Sequence, residues 1–207
     1  MKEKLSQIAE KIRKNFEDCD KARERAFYLH REIIKRSSQA IRAVHRGEFA
    51  EGKKLVDEAK ELLMQATQSL ANFPRVAFAG FLEDAQKEYV EAYLTLALVS
   101  SQNIPDPDEV GVEYSAFLNG MAETVGELRR HILDLIRLGE PAKGEVYLQY
   151  MDEIFYVLTG LDFPDMITNS LRRRTDIARS ILEKTRGDLT ACLSQNQLLN
   201  EMKKIGG

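Results

Sequence analysis

From about Glu3 to Arg46 the chain contains neither Pro nor Gly, and apolar residues recur at intervals of three and four. That spacing predicts one very long helix that stops at Gly47. At 1.5 Å per residue it would extend roughly 60 Å. Its middle is two-sided: Ala22, Ala26, Leu29, Ile33, Ala40, Ile41 and Val44 lie on one face, and Arg31, Lys35, Ser38, Arg42 and Arg46 form a stripe on the other. A second helix is predicted from about Phe49 to Leu70, with Asn72-Phe73-Pro74 supplying its stop and the next start. A third, from about Pro74 to Ser100, is apolar almost all the way round. Asn103-Ile104-Pro105-Asp106-Pro107-Asp108 reads as the longest loop, because prolines and turn-forming polar residues oppose regular structure there. Further helices follow from about Tyr114 to Leu138 and from about Pro141 to Leu158. A long sixth runs from about Asp165 to Leu193, with a short seventh at Gln195 to Lys203. No period-two pattern persists, so the class is all-α. The expected architecture is an antiparallel bundle of six to seven helices with long first and last members. Sustained heptads, internal repeats and low-complexity tracts are absent from the sequence.

The 207 residues are enough for one large domain, and no linker-like stretch divides them, so residues 1–207 are expected to fold as a single unit. With 43% hydrophobic and 30% charged residues the balance is that of a soluble helical protein. Cys19 and Cys192 stand near opposite ends without metal spacing, which argues against a thiol zinc site and makes a reducing cytoplasm the default location. Met1 to Phe16 is too charged for a signal peptide, and no apolar run approaches a membrane span. The net charge of −3 excludes nothing about nucleic acid, because binding depends on where charges sit. Here they are segregated. Lys and Arg dominate the first two helices and the last long one, whereas acids outnumber bases between Glu83 and Glu127. The pattern fits phosphate-backbone binding by the basic stripes with metal-assisted chemistry at an acidic centre. A solvated face is the competing reading of each basic run.

Within the apolar third helix, Asp84, Glu88 and Glu91 project within roughly 60° of one another at 100° per residue. Carboxylates facing protein need cations from the protein or a metal ion, and the local sequence offers only Lys87. A second acidic pair, Asp152-Glu153, is embedded in the equally apolar run Tyr147 to Leu158. Its members point about 100° apart, so one at most faces the first stripe. Three inward carboxylates from different helices suit Mg²⁺ or Mn²⁺, which prefer oxygen ligands and can activate water for attack on phosphorus. The plainer alternative is a solvated face or an interhelical salt-bridge set. A ferritin-type di-iron site needs Glu-x-x-His on two helices, and the chain has none. His45 falls beside the basic stripe and could touch phosphate, although packing is the commoner role. No Ser/His/Asp or Cys/His arrangement and no phosphate-binding Gly loop is present.

Three blocks in order carry a specific likeness: Glu88-Tyr89-Val90-Glu91-Ala92, then Gly120-Met121-Ala122-Glu123-Thr124-Val125-Gly126-Glu127-Leu128-Arg129-Arg130, then Ser170-Leu171-Arg172-Arg173-Arg174. The first resembles the catalytic-subunit motif of the translin family. The second is similar to that family's Gly-Val-Ala-Asp-Leu-Thr-Gly-Glu-Leu-Met-Arg segment, and the third to the Ser-Leu-Arg-Lys-Arg opening of its last long helix. Together they extend over most of the chain and lie closest to translin-associated factor X (Trax), as a stand-alone member.

The resemblance implies an all-α fold closing into a barrel-like homo-octamer with an RNA-binding interior, and a Mg²⁺-dependent endoribonuclease activity. It carries the first two catalytic acids onto Glu88 and Glu91. A third falls on Glu153 if Phe155 is the anchor, with Asp152 the alternative if the register slips by one. An acid that precedes the family's Tyr-Leu-x-Gly block falls on Ala116, so Glu123 and Glu127 are possible substitutes among the metal ligands. Arg31, Lys35, Arg42, Arg46, Arg172, Arg173 and Arg174 are the expected phosphate contacts. RNA, single-stranded or short duplex, is the expected partner, with single-stranded DNA possible and no membrane. A non-catalytic translin-type nucleic-acid-binding protein is the first rival, and a purely structural bundle the second.

Overall fold

The computed structural model describes residues 1–77 and 80–205, and among these every regular element is helical. The helices are α1 (Lys2–His45), α2 (Phe49–Leu70), α3 (Pro74–Ala77), α4 (Phe81–Val99), α5 (Pro107–Val110), α6 (Tyr114–Arg137), α7 (Glu145–Thr159), α8 (Asp165–Thr168) and α9 (Leu171–Ile205). A 3₁₀ turn, Pro141–Gly144, leads into α7. The all-α bundle expected from the periodicity is therefore present. No helix among the described residues is long and apolar enough to cross a membrane.

The long first helix has two unlike halves. From Ala26 onward it buries Ala26, Leu29, Ile33, Ser37, Ala40 and Val44, which recur at three and four and face α2 and α4. Residues 1–18 are exposed throughout, including Leu5, Ile8, Ile12 and Phe16. The helix ends where Gly47 takes φ +76°, a left-handed turn that costs a side-chain-bearing residue strain. Arg46, Gly47 and Glu48 thus fold α2 back on α1 as a hairpin.

Three predicted boundaries are corrected. The third helix is not continuous: Gly80 adopts φ +86° between α3 and α4, and residues 78 and 79 of the expected helix lie outside the described residues. Within the segment read as the longest loop, Pro107 starts the short helix α5, because Asp106 caps it by accepting from Asp108 N–H and Glu109 completes the capping box. The long sixth helix is broken at Asn169 and Ser170, both with positive φ, and the short seventh is merged into α9. That break is held by Asn119 of α6, whose amide donates to the carbonyls of Thr168 and Asn169. A short polar side chain tolerates the left-handed region better than most, but the tertiary hydrogen bonds select it here.

One core cluster joins the long helices, with Leu29 and Ile33 of α1, Leu63 of α2, Tyr89 of α4, Leu128 of α6, Met151 of α7 and Leu182 of α9 among its members. Each fully buried side chain of this size contributes about 1.5–3 kcal/mol. At Gly120 the backbone of α6 comes close to that of α4. A Cβ added to Gly120 would sit 2.7 Å from the Lys87 carbonyl oxygen and 2.7 Å from Val90 Cβ, so only glycine lets the two backbones approach this far. Glu123 lies three residues beyond that contact on α6, and Glu88 and Glu91 directly follow the two contacting residues of α4.

Candidate metal centre

The close crossing at Gly120 decides what the acidic stripe of α4 faces. It brings Glu123 from α6 against Glu88 and Glu91 from α4, so that each of the three offers a carboxylate oxygen within 4.8 Å of the others. The spacing on α4 is a helical i, i+3 pair, and the third acid arrives from the neighbouring helix. All three are partly buried. Oxygen-only donors at this separation match the preference of a hard divalent cation and offer nothing to a soft metal.

The cations present are unevenly shared. Lys87 Nζ lies 3.1 Å from Glu88 Oε1, 3.1 Å from Glu123 Oε1 and 3.3 Å from Asp84 Oδ1. Burial alone would depress the Lys87 pKa, but the charges of Glu123 and Glu88 outweigh it and hold the ammonium above the usual lysine range. Arg174 Nε donates to Glu123 Oε1 at 3.1 Å and a second guanidinium nitrogen to the Asn169 carbonyl. Glu91 has no such pairing among the described residues. Burial first, and then the charges of Glu123, Glu88 and Glu127, raise its pKa from 4.5 to about 8, which favours the protonated carboxyl near neutral pH. Without that proton the three carboxylates would form an all-oxygen anionic donor set of the kind a hard divalent cation takes.

The other residues singled out from the sequence fall elsewhere. Glu153 is exposed on α7, bonded to Gln149 one turn back, and Asp152 pairs with Arg186 of α9, so neither joins the cluster. The structure does not bring that pair to Glu88 and Glu91, because Asp152 is held from α9 and Glu153 is exposed. Ala116 is fully buried. Glu127 lies one turn beyond Glu123 and is bound to His45 Nε2 at 2.5 Å and approached by Arg130 at 3.8 Å. His45 is therefore a buried partner of a carboxylate, not a surface contact.

Of the expected phosphate contacts, Arg31, Arg42 and Arg173 are exposed and make no ion pair among the described residues. Lys35 lies 3.8 Å from Glu32, Arg46 is paired with Glu48, and Arg172 with Asp162 at 2.7 Å. Arg174, expected as a phosphate contact, is half-buried and paired with Glu123. The convergence of Glu123 was legible in part, because it stands where the similar family segment has Asp. Arg174, 51 positions away from its partner, left no local signal.

No family model matches the chain. A protein of Methanocaldococcus jannaschii, itself uncharacterized, is 33% identical over 189 residues, which cover 90% of this chain and 83% of that protein. Among solved structures, a complex of AfC3PO with duplex RNA superposes with a TM-score of 0.82 at 31% identity, over 90% of this chain and 97% of that one. The crystal structure of AfC3PO gives 0.83 at 31% identity with the same coverage. Apo-NeC3PO, at 22% identity and a TM-score of 0.74 over 91% of this chain and 96% of that one, shows likeness of fold.

Proposed function

This chain belongs to the translin/Trax family, that of the C3PO chains it matches, and we propose that it is an RNA-binding endoribonuclease whose Glu88, Glu91 and Glu123 hold Mg²⁺. The observation that carries the reading is the meeting of three carboxylates from two helices within 4.8 Å, one of them without a cation. A divalent ion bound there supplies Lewis acidity toward phosphoryl oxygens and eases deprotonation of water. The protein's part is to supply the charge and hold it still. Arg174 holds Glu123, Lys87 bridges Glu88 and Glu123 while no ion is bound, and Gly120 locks the distance between their helices. Glu91 would have to give up its proton to serve as an anionic ligand. Glu123 takes the place that Glu153 held in the sequence-based expectation.

Arg31 and Arg42, three turns apart on one side of α1, are free to contact phosphate, and Arg173 offers a further guanidinium. The duplex RNA in the AfC3PO complex favours RNA as the partner here, and the family's assemblies favour a homo-oligomer, an octamer on resemblance. Single-stranded DNA is a secondary candidate ligand.

The deciding experiment is cleavage of a labelled RNA with Mg²⁺ and with chelator, run on the wild type and on Glu88→Ala/Glu91→Ala. Wild-type cleavage should require the metal. The variant should lose cleavage and keep measurable RNA binding. Undiminished cleavage by the variant overturns the assignment. One observation favours a second reading, a translin-type protein that binds nucleic acid without cutting it: Lys87 already pairs with Glu88 and Glu123, and Arg174 with Glu123. Salt-dependent RNA binding with no cleavage at any divalent concentration would select that reading.

A further inference from the structure

Lys87 occupies an unusual position among the acids of α4 and α6. Its side chain is 12% exposed, and its ammonium contacts Glu88 Oε1, Glu123 Oε1 and Asp84 Oδ1. Two of those acids are members of the three-carboxylate cluster, so the ammonium draws on the same carboxylates that a divalent ion would need. Two cations cannot share them without cost, because like charges a few ångströms apart repel in proportion to the product of their charges. One must yield.

The surroundings say which. Arg174 also donates to Glu123 Oε1, but it is tethered by a second hydrogen bond to the Asn169 carbonyl. Lys87 has a flexible four-carbon stem and a third partner outside the cluster. That partner, Asp84, is 49% exposed and faces His30, whose Nε2 lies 3.5 Å from its other oxygen. Asp84 thus marks a solvent-side resting place within reach of the same ammonium.

Resting on the reading of this cluster as a divalent-metal site, we propose that Lys87 is an internal counter-cation that an entering metal ion displaces from Glu88 and Glu123 onto Asp84. In the empty site the ammonium holds the acids of two helices together. On loading, one charge leaves the cluster as two arrive, so Lys87 sets the concentration at which metal enters. It is a positioning residue that tunes metal affinity.

The test uses Mn²⁺ binding to the full chain by calorimetry, with Lys87→Gln and Lys87→Arg compared with the wild type. Removal of the competitor should tighten Mn²⁺ binding about tenfold or more, while Lys87→Arg, which keeps the charge, should stay near the wild type. Should Lys87→Gln fail to fold without metal, acylation of Lys87 in the wild type, read by mass spectrometry, serves in its place. Labelling should rise as Mn²⁺ saturates the site. Equal or weaker Mn²⁺ binding by Lys87→Gln, or labelling that falls or does not change, overturns the exchange. If wild type and variant bind Mn²⁺ alike, only the exchange fails. If neither binds it, the metal-centre reading fails as well.

Discussion

The acids of α4 and those of α7 sit in helices of similar apolar character and meet opposite surroundings. Glu88 and Glu91 face α6 across a crossing tight enough to exclude any side chain at Gly120, and there they find Glu123. Asp152 and Glu153 lie on the rim of α7, one paired with Arg186 and the other bonded along its own helix. The composition of a helix does not decide whether its acids are interior. That is decided by the residue at the closest approach of its neighbour, and here the residue is a glycine.

The largest effect should separate the two pairs by activity. Glu123→Gln is expected to reduce Mg²⁺-dependent RNA cleavage by about 10³-fold, because it removes a hard anionic ligand. Asp152→Ala/Glu153→Ala should stay within about twofold of the wild type in single-turnover assays, as neither acid is near the cluster. Comparable losses from both would erase the distinction.

The second effect is on stability. Glu91, with its pKa raised from 4.5 to about 8, binds its proton more tightly in the folded chain than in the unfolded one. Its contribution is therefore fully present below pH 4.5 and is lost as the pH rises through 8. Without metal, the wild type should lose a few kcal/mol, by order of magnitude, across that window relative to Glu91→Gln. Thermal melts at several pH values check this, and parallel profiles for the two proteins would contradict it. Saturating Mn²⁺ should flatten the wild-type slope, since the metal takes the proton's place.

A third comparison lies within α6 itself. Gly120→Ala should destabilise by about 1–3 kcal/mol, because its Cβ would strike a backbone oxygen and the Val90 side chain. Gly126→Ala meets open space and should stabilise the helix by about 0.5–1 kcal/mol. Urea denaturation measures both. The smallest effect is expected from Asp152→Ala, which breaks an exposed ion pair and should cost less than about 1 kcal/mol.

How far the residues alone lead differs from element to element. The helices bounded by Gly47, Pro74 and Gly139 follow from local chemistry, so α2 and α6 run almost as the periodicity predicts. The break at Asn169 and Ser170 does not, because it is held by Asn119, fifty positions away. The site divides in the same manner. Glu88 and Glu91 are neighbours on one helix, and their stripe is visible in the spacing. Glu123 was recoverable from its motif, at the position of the family's Asp. What sets Asp152 aside is Arg186 on α9, and what turns Arg174 inward is Glu123 on α6. Pairings between distant helices leave no periodic trace.

The two halves of α1 have a consequence for hydrogen exchange. Residues beyond Ala26 are protected by the core, and their amides should open only with global unfolding. The first 18 residues bury nothing within the chain, so their backbone bonds rest on helix propensity, which is marginal for a segment of that length in water. A single unbroken helix should therefore show a steep gradient of protection along its axis, with fast exchange at Leu5 and slow exchange at Ile33. Whatever covers Leu5, Ile8, Ile12 and Phe16 would register as slowed exchange in that half alone.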